Sequence, residues 1–391
     1  MTPSARVQAA IEILDAVIAS ARDDGPPADA IVGQYFKTRR YAGSKDRRAV
    51  RELVFRAIRR CGEIPASGRQ AMLGLASEDA DLAVLFDGSP HGPAPVVEGE
   101  AGAAEQLLPQ WLEPELSPLV PRDEWPALLE RAPLDLRVNI TSTTREAALA
   151  AFDGASPTAH SPWGIRLPAD SRIDQNSAYL NGLVEVQDEG SQLIALACEP
   201  RAGMRLVDLC AGAGGKALAL AAAAPGVEIL ACDTNRMRLA KLAPRAERAG
   251  ARIDVRLLDG GREADQLADW NGQADLVLVD APCSGSGTWR RNPEGRWRLT
   301  SERLARVIAL QARILDLAVP LVKPGGTLVY AVCSLLRREG AGQMEAFLGR
   351  HSSWAVQDAL AFGRQDGGGR LLTPGHDGTD GFFVARLKRS C

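Results

Sequence analysis

Cysteine is scarce in this chain, and its spacing does not suit a metal site or a disulfide framework. There are 7 cysteines among 391 residues, and no two of them form a C-x-x-C or C-x-x-x-x-C pair. Secreted scaffolds are dense in cysteine, and structural zinc sites use closely spaced pairs. We therefore expect free thiols in a reducing, cytoplasmic setting and no bound metal.

Long apolar segments and a strong net charge are also missing. The apolar run Ala217–Ala224 falls far short of the ~18 residues that a membrane helix needs. Glu12 and Asp15 interrupt the first apolar stretch, which argues against a signal peptide. Hydrophobic residues make up 46% and charged residues 24% of the chain, as in ordinary globular domains. These values exclude a disordered, collagen-like or coiled-coil chain and predict two or three domains without membrane contact.

The net charge of -3 hides an uneven distribution. Ten basic residues lie between Phe36 and Arg60, opposed only by Asp46 and Glu52. A second basic stretch runs from Arg290 to Arg313. Separate basic stretches in a net-acidic chain are typical of a local footprint for a polyanion, although solvated helix faces have the same composition.

Hydrophobic periodicity indicates a helical N-terminal part. Apolar residues recur at helical spacing from Val7 to Ile18, and Ser44 is a candidate N-cap for a helix that carries the first basic stretch. We expect more helix up to about Leu129. A strand over Leu134–Val138 and a short helix over 144–152 should follow.

From about Met204, short apolar runs alternate with helical patterns, which predicts a parallel sheet with helices on both faces. The predicted strands are Leu206–Cys210, Ile229–Cys232, Ile253–Leu258, Leu276–Val279 and Leu328–Val332. The predicted helices are Gly215–Ala224, Arg236–Arg248, Ser301–Ala318 and Arg338–Leu348. Ligands bind at the carboxyl ends of the strands in such sheets, so the residues that follow each strand are the candidates.

A glycine-rich loop follows the first of these strands and reads Cys210-Ala211-Gly212-Ala213-Gly214-Gly215-Lys216. It is not a P-loop, because a cysteine replaces the first glycine and Ala217 replaces the hydroxyl residue. It fits G-x-G-x-x-A, and Asp233 ends the next strand where an acid would hold ribose hydroxyls. The pattern favours a nucleoside cofactor and leaves S-adenosylmethionine, a nicotinamide dinucleotide and a simple tight turn open.

Four further residues follow strands at the same predicted edge. Asp259 comes after the third strand and Asp280 ends the fourth. Cys283 follows the fourth strand in a loop, and Cys333 follows the fifth. If those two strands are neighbours, both thiols lie at one open edge close to the cofactor. The remaining cysteines of this region, Cys198, Cys210 and Cys232, fit small buried hydrophobic residues.

At this point the motifs resemble the Sun/Fmu family of RNA cytosine-C5 methyltransferases. The resemblance rests on Asp280–Gly287, on Arg290–Pro293 with Trp297, on Lys323–Ser334, on the loop Asp208–Lys216 and on Asp380–Phe383. More weakly, residues 41–56 resemble the NusB-like RNA-binding domain of the bacterial 16S rRNA branch. The sequence departs from the family pattern at Ala213, where the family has proline, and at Val332, where it has threonine.

The resemblance implies a fold class and a domain organisation. We expect an α/β, Rossmann-like class I S-adenosylmethionine methyltransferase domain preceded by an all-α NusB-like domain. The expected boundaries are 1–129 for the helical RNA-binding domain, 130–195 for a small α+β linker subdomain and 196–391 for the catalytic domain. We further expect a monomer whose partner is RNA, with small-subunit rRNA favoured and tRNA as the alternative.

The resemblance also assigns roles to residues. Cys333 is the expected nucleophile, Cys283 assists product release, and Asp280 is a candidate hydrogen-bond donor to the pyrimidine N3. The expected cofactor residues are Cys210, Ala211, Gly212, Ala213, Gly214, Gly215, Lys216, Asp233, Asp259 and Asp280. The arginines from Arg290 onward would hold phosphates, and Trp289 and Trp297 are candidates for base stacking or for packing. A dehydrogenase and a catalytically silent RNA-binding factor remain the competing classes.

Overall fold

A computed structural model describes residues 1–23, 25–169, 171–357 and 360–391. The chain divides into two compact units. The first contains Met1–Leu116, Trp125–Glu130 and Thr288–Thr300, and the second contains Ser117–Glu124, Arg131–Gly287 and Ser301–Cys391. The segment Thr288–Thr300 therefore belongs to the first unit although it interrupts the sequence of the second. The three-domain division proposed above stays a prediction.

The first unit is helical, as expected. Its helices are α1 (Pro3–Arg22), α2 (Ala28–Lys37), α3 (Ser44–Arg60), α4 (Gly68–Ala76) and α5 (Ala80–Ala83), with 3₁₀ turns at Gln110–Glu115 and Pro126–Leu128. Their apolar faces form one core, with Val7, Leu14, Val54 and Ile58 buried at its centre. An apolar stripe of this kind is what makes a short helix stable in a protein.

Two expectations about this unit were wrong in detail. Ser44 is the first helical residue rather than the cap, and the Asp46 carboxylate accepts a hydrogen bond from the backbone N–H of Gly43 at 3.2 Å. Continuous helix does not extend to Leu129, because after α5 the described backbone has only the 3₁₀ turns. The segment 88–95 is rich in glycine and proline, which do not support a regular helix.

The second unit contains a small antiparallel sheet. It is built from β1 (Leu134–Val138), α6 (Arg145–Ala150), β2 (Ser156–Pro157), β3 (Gly164–Leu167), α7 (Ser177–Leu180) and β4 (Val184–Val186), in the strand order β2-β3-β1-β4. The strand over Leu134–Val138 is confirmed. The predicted short helix is also present, and Thr144 caps it by accepting a hydrogen bond from the N–H of Ala147 at 3.2 Å.

The larger sheet carries the Rossmann-like topology. Its strands are β5 (Arg205–Asp208), β6 (Glu228–Asp233), β7 (Asp254–Leu257), β8 (Ala274–Asp280), β9 (Val322–Val332), β10 (Trp354–Val356), β11 (Arg364–Asp366), β12 (Gly369–Leu372) and β13 (Phe382–Arg389). They lie in the order β11-β12-β13-β9-β8-β5-β6-β7, and β10 pairs with β13. Strands β5 to β9 are mutually parallel, whereas β10 to β13 pair antiparallel. The sheet is therefore mixed rather than purely parallel.

The remaining helices accompany this sheet. They are α8 (Glu189–Ala197), α9 (Gly215–Ala223), α10 (Arg236–Leu239), α11 (Leu242–Ala249), α12 (Glu263–Gln266), α13 (Gly295–Arg298), α14 (Ser301–Ala318), α15 (Ala341–Arg350) and α16 (Pro374–Asp377), of which α13 belongs to the first unit. The predicted helix Arg236–Arg248 is broken at residues 240–241. Pro244 lies four residues after Ala240, and a proline ring clashes with the carbonyl at that position of a helix. Among the described residues, no helix is long and apolar enough to cross a membrane.

Candidate active site

The cofactor loop joins β5 to α9 through a tight turn. Gly212 and Gly214 have φ values of 56° and 82°, a region that side chains other than glycine rarely adopt. A Cβ atom on Gly214 would lie 2.5 Å from Cγ of Leu242, so the close packing of α11 also requires a glycine there. The glycines of the loop therefore set its path, as the sequence pattern predicted.

Asp233 holds this loop from the end of β6. Its Oδ2 atom accepts a hydrogen bond from the N–H of Gly212 at 2.7 Å, and Oδ1 accepts one from the N–H of Asn235 at 2.7 Å. The side chain is largely buried, and it borders a cavity. A carboxylate oriented in this way can still accept hydrogen bonds from a ligand, because each oxygen offers more than one lone pair.

The cavity has a volume of about 490 Å³ and lies at the carboxyl ends of β5, β6, β8 and β9. Asp233, Asn235, Asp280, Cys283 and Cys333 contribute polar groups to its lining. Leu258, Leu310, Ile314 and Leu317 contribute apolar surface. A cavity of ~300–1,000 Å³ with an apolar wall and a few placed polar groups suits a small-molecule ligand.

The structure places three of the ten predicted cofactor residues in the lining of this cavity. Cys210, Asp233 and Asp280 line it, and the loop up to Lys216 forms the turn beside Cys210. Asp259 does not line it: the side chain is exposed, and its Oδ2 accepts a hydrogen bond from Nε2 of Gln266 at 3.0 Å. Glu263 and Arg313, neither of which was predicted as a cofactor residue, form a 2.9 Å ion pair that lines the cavity. They lie on helices, and no motif marks them.

Lys216 and Asp280 form an ion pair across the sheet edge. Nζ of Lys216 lies 2.7 Å from Oδ2 of Asp280 and 5.5 Å from the ring centre of Phe382. Burial alone would lower the pKa of Lys216, but the charge of Asp280 and the hydrogen bond to it raise that pKa overall. Lys216 is therefore a buried ammonium ion at neutral pH.

Asp208, at the end of β5, is a buried acid that the sequence analysis quoted only as part of a motif. Burial, with a further contribution from the charge of Asp280, raises the pKa of Asp208 to about 7. The position therefore titrates near neutral pH, next to the cofactor loop. Buried groups with shifted pKa values often cluster at functional sites.

The two candidate cysteines are in contact. Strands β8 and β9 are parallel neighbours in which Asp280 pairs with Ala331, so the loops that follow them start side by side. The Sγ atoms of Cys283 and Cys333 are 3.1 Å apart, and the N–H of Gly287 donates to the carbonyl of Cys333 at 3.1 Å. The prediction that both thiols lie at one edge of the sheet is confirmed.

The environment of the pair favours the protonated form of Cys283. The hydrogen bond to Cys333 and burial raise the pKa of Cys283 well above its usual range, and the charge of Glu339 adds to this shift. Cys283 is therefore a thiol at neutral pH. The Lys216 ammonium lies close enough to Cys333 for the two groups to interact electrostatically.

Cys198, Cys210 and Cys232 of this unit are protonated at neutral pH. Burial raises the pKa of Cys232 to about 12 and moves the pKa of Cys198 and Cys210 upward as well. Cys198 and Cys232 are buried, as predicted, whereas Cys210 is only partly buried and borders the cavity. Among the residues that the structure describes, no cluster of histidine, cysteine and acidic side chains could hold a metal ion.

The aromatic and basic residues just after the cysteine loop do not form the predicted nucleic-acid contact. Trp289 is 1% exposed and Trp297 is 7% exposed, and Nε1 of Trp297 donates to the carbonyl of Cys61 at 2.8 Å. Arg296 is 1% exposed and donates to the carbonyls of Ile58 at 2.7 Å and of Leu107. Both tryptophans pack, and Arg296 is a structural residue of the first unit, because buried carbonyls need donors.

The first basic stretch has the opposite character. Lys37, Arg40, Lys45 and Arg48 are exposed, and none of them makes an ion pair with another residue in the described ranges. Arg47, Arg51 and Arg56 are also exposed, although Arg51 and Arg56 pair with Asp29 and Asp79. This cluster on α2 and α3 remains available to a polyanion.

Comparison with known sequences shows where the chain has relatives. A protein family described as 16S rRNA methyltransferase RsmB/F matches residues 195–388. The ribosomal RNA small subunit methyltransferase B of Salmonella arizonae is 36% identical over 292 residues, covering 73% of this chain and 67% of that protein. The protein of the same name from Salmonella typhi is 36% identical over 294 residues, with the same two coverages.

Comparison with solved structures supports the fold. The protein PH0851 matches with a TM-score of 0.78 and 22% identity over 100% of this chain and 99% of that one. NSun6 from Pyrococcus horikoshii, solved with SFG, gives a TM-score of 0.60 and 19% identity over 68% of this chain and 93% of its own. A methyltransferase homologue from the same organism gives a TM-score of 0.61 and 24% identity, and the match covers 70% of this chain and 92% of that one. At these identities the likeness concerns the fold.

Proposed function

The chain belongs to the RsmB/F family of 16S rRNA methyltransferases, and from this premise we propose that it methylates carbon 5 of a cytosine in small-subunit rRNA. The methyl donor is S-adenosylmethionine, and the reaction passes through a covalent bond between Cys333 and carbon 6 of the base. The observation that carries the proposal is the contact between Cys283 and Cys333, 3.1 Å apart, at the mouth of the cofactor cavity.

The cavity fits S-adenosylmethionine in its chemistry. Its apolar wall suits an adenine ring, and Asp233 offers carboxylate oxygens for ribose hydroxyls. The amino acid part would then lie toward Cys210 and Asp280. When bound, S-adenosylmethionine supplies an electrophilic methyl group. Asp259 is not needed for this assignment, and Glu263 with Arg313 closes the cavity on that side.

Cys333 is the group that attacks the base. Its thiol first loses the proton to water, and the thiolate is stabilised by the Lys216 ammonium and by a hydrogen bond from the Cys283 thiol. The sulfur then adds to carbon 6, and the electron pair of the 5,6 double bond makes carbon 5 nucleophilic. Negative charge develops toward N3 and O2, where the Lys216 ammonium is the available donor, because Asp280 accepts a hydrogen bond from it.

Cys283 acts in the second half of the reaction. After methyl transfer the C5 proton leaves to water, the 5,6 double bond forms again, and the bond between carbon 6 and Cys333 breaks with its electron pair on sulfur. The Cys283 thiol, 3.1 Å from that sulfur, donates a hydrogen bond to the leaving thiolate. Elimination therefore returns the pair to its starting state.

The test is transfer of labelled methyl from S-adenosylmethionine to RNA from cells that lack this protein. We expect the label as 5-methylcytosine in small-subunit rRNA, and label only in tRNA would identify the alternative substrate. Cys333→Ala should abolish transfer, while Cys283→Ala should accumulate a covalent protein–RNA adduct. Cys391→Ala, which removes an exposed thiol, is the control.

Four outcomes would contradict parts of the proposal. Full transfer by Cys333→Ala would remove its role as nucleophile, and a Cys283→Ala variant without adduct would remove the role of Cys283 in release. Cofactor binding without label in any RNA would favour a silent RNA-binding factor. Binding of a nicotinamide dinucleotide in place of S-adenosylmethionine would favour a dehydrogenase.

A further inference from the structure

Glu339 is a fully buried acid that the sequence analysis did not single out. It follows β9 in the same loop as Cys333, and its side chain is 0% exposed. Among the described residues it has no ion pair, since no basic side chain lies within 4.0 Å of its carboxylate. A buried carboxylate without a cation needs hydrogen-bond donors, because desolvation of an ionised group is costly.

The Glu339 carboxylate accepts hydrogen bonds from both cysteine loops. Oε1 accepts from the N–H of Ser284 at 2.8 Å, and Oε2 accepts from Oγ of Ser334 at 2.5 Å and from Oγ of Ser284. Ser284 directly follows Cys283, and Ser334 directly follows Cys333. One carboxylate thus bridges the two Cys-Ser turns.

Further hydrogen bonds tie this bridge to the surrounding helix and strand. Nε2 of Gln311, on α14, donates to Oε1 of Glu339 at 2.8 Å and to the carbonyl of Pro282 at 2.9 Å. The hydroxyl of Tyr330 donates to the backbone carbonyl of Glu339 at 2.8 Å. Oγ of Ser286 lies 3.0 Å from Oγ of Ser334 and accepts from the N–H of Leu335 at 2.9 Å. The carboxylate is therefore held in one position.

We propose that Glu339 is a positioning residue, whose buried carboxylate holds the two Cys-Ser turns together and sets the reactivity of Cys283 relative to that of Cys333. The inference rests on the proposed function of the two cysteines. Its geometry is the bridge from one carboxylate to Ser284 and Ser334. Its electrostatic part agrees with the contribution of the Glu339 charge to the raised pKa of Cys283.

The proposal makes two separate demands on the reaction. Without the bridge the sulfur atoms lose their fixed separation, and small displacements of reacting groups cost up to about 100-fold in rate. Without the charge, the preference for a proton on Cys283 weakens, so both thiols compete for the thiolate state. A residue that only supported the fold would reduce the amount of active protein and leave this preference unchanged.

The experiment compares Glu339→Gln with Glu345→Gln, using the full-length chain. Glu345 lies on α15, and its carboxylate forms an exposed ion pair with Arg337 at 2.8 Å. Limited alkylation with iodoacetamide, without RNA or cofactor, is quantified at Cys283 and Cys333 by peptide mass spectrometry from pH 6 to 10. In the unmodified protein we expect Cys333 to react first at every pH.

In Glu339→Gln we expect the Cys333-to-Cys283 alkylation ratio to fall by about tenfold, the change that one pKa unit produces. The pH at which Cys283 becomes reactive toward iodoacetamide should also be lower in this variant. The single-turnover methyl-transfer rate should fall by about 100-fold, while the Kd for S-adenosylmethionine changes less than about twofold. Glu345→Gln should match the unmodified protein in all three measurements.

An unchanged alkylation ratio in a folded Glu339→Gln protein would overturn the proposal, whatever its activity. If this variant does not fold, Ser334→Ala and Ser284→Ala each remove one hydroxyl from the bridge and are used in its place. Either should lower the ratio, and an unchanged ratio in both would also overturn the proposal. The alkylation assay does not require an RNA substrate, so its result is separable from failure of the proposed methyltransferase activity.

Discussion

Two segments of the first unit are basic in sequence, residues 37–60 and residues 290–298. They differ in the solvent exposure of their cations. On α2, α3 and the loop between them, the cations Lys37, Arg40, Lys45 and Arg48 are exposed. In the segment Thr288–Thr300, Arg290 and Arg296 are buried, and Arg296 donates to backbone carbonyls of the helical unit. The cations of the first segment are therefore accessible to a polyanion, whereas the buried arginines of the second segment pack inside the helical unit.

The difference has a physical origin in the length and pattern of each segment. Helix α3 has 17 residues with Val50, Val54 and Ile58 on one face, so its arginines are directed outward. The second segment contains only the short helix α13, Gly295–Arg298, and no long amphipathic face. Its buried side chains Arg296 and Trp297 donate to backbone carbonyls of the helical unit. A run of positive charge is thus a footprint for nucleic acid only where the fold leaves it exposed.

The largest effect expected from this comparison is that of Arg296→Ala on stability. The substitution removes the side-chain donor to the carbonyls of Ile58, Leu107 and Pro293. Loss of a buried donor to several groups should lower the free energy of unfolding by about 3–5 kcal/mol. Urea titration of the unfolding transition measures this, with the exposed Arg48→Ala as control, whose effect should stay within about 0.5 kcal/mol. Equal effects would mean that burial does not separate the two segments.

The next effect concerns RNA affinity. Replacing Lys37, Arg40 and Arg48 by glutamine should weaken rRNA binding about 100-fold near 0.1 M salt and reduce the slope of log K against log salt by about 2–3. Filter binding at several salt concentrations measures both quantities. The control replaces three cations of the second unit, Arg201, Arg337 and Arg350. If the control variant loses as much affinity as the test variant, the exposed cluster is not the footprint.

A smaller effect is expected for Trp297→Phe. The change keeps most of the buried ring but removes the hydrogen bond from Nε1 to the carbonyl of Cys61, 2.8 Å long. We expect a loss of about 1 kcal/mol in the free energy of unfolding and no change in RNA affinity. A base-stacking role would give the reverse, with weaker RNA binding and unchanged unfolding, so the two measurements together decide between them.

The smallest effect is expected for the exposed ion pair of Arg51 with Asp29, 2.8 Å long, whose side chains are 55% and 50% exposed. Exposed pairs of this kind are screened by water and salt, and their ordering offsets most of the attraction. Asp29→Asn should therefore leave the unfolding midpoint unchanged within measurement error. A clear drop in the unfolding midpoint would show that exposed charges on this face also stabilise the helical unit. The two basic segments would then differ less in their contribution to stability.

Local patterns determined much of the active site. The ends of the strands could be predicted because apolar runs of strand length are followed directly by polar residues. The glycine loop could be predicted because a tight turn needs positive φ values, which two of its glycines adopt. The proximity of Cys283 to Cys333 could be predicted on one assumption, that β8 and β9 are adjacent. Neighbouring parallel strands end at the same edge of a sheet, so the residues that follow them lie close together. The helix Ser301–Ala318 was predicted with its observed bounds.

Other features were decided only by tertiary structure, because they depend on contacts between residues far apart in sequence. Asp280 ends β8 and lines the cavity, whereas Asp259 lies two residues beyond β7, is exposed and accepts a hydrogen bond from Gln266. Glu339 has no motif around it, and its role comes from two serines that the sheet brings to one carboxylate. The segment Thr288–Thr300 resembles a nucleic-acid footprint by charge, but its Arg296 is buried and donates to backbone carbonyls of the helical unit. Sequence determines which chemical groups are available, and packing determines which of them meet solvent, ligand or one another.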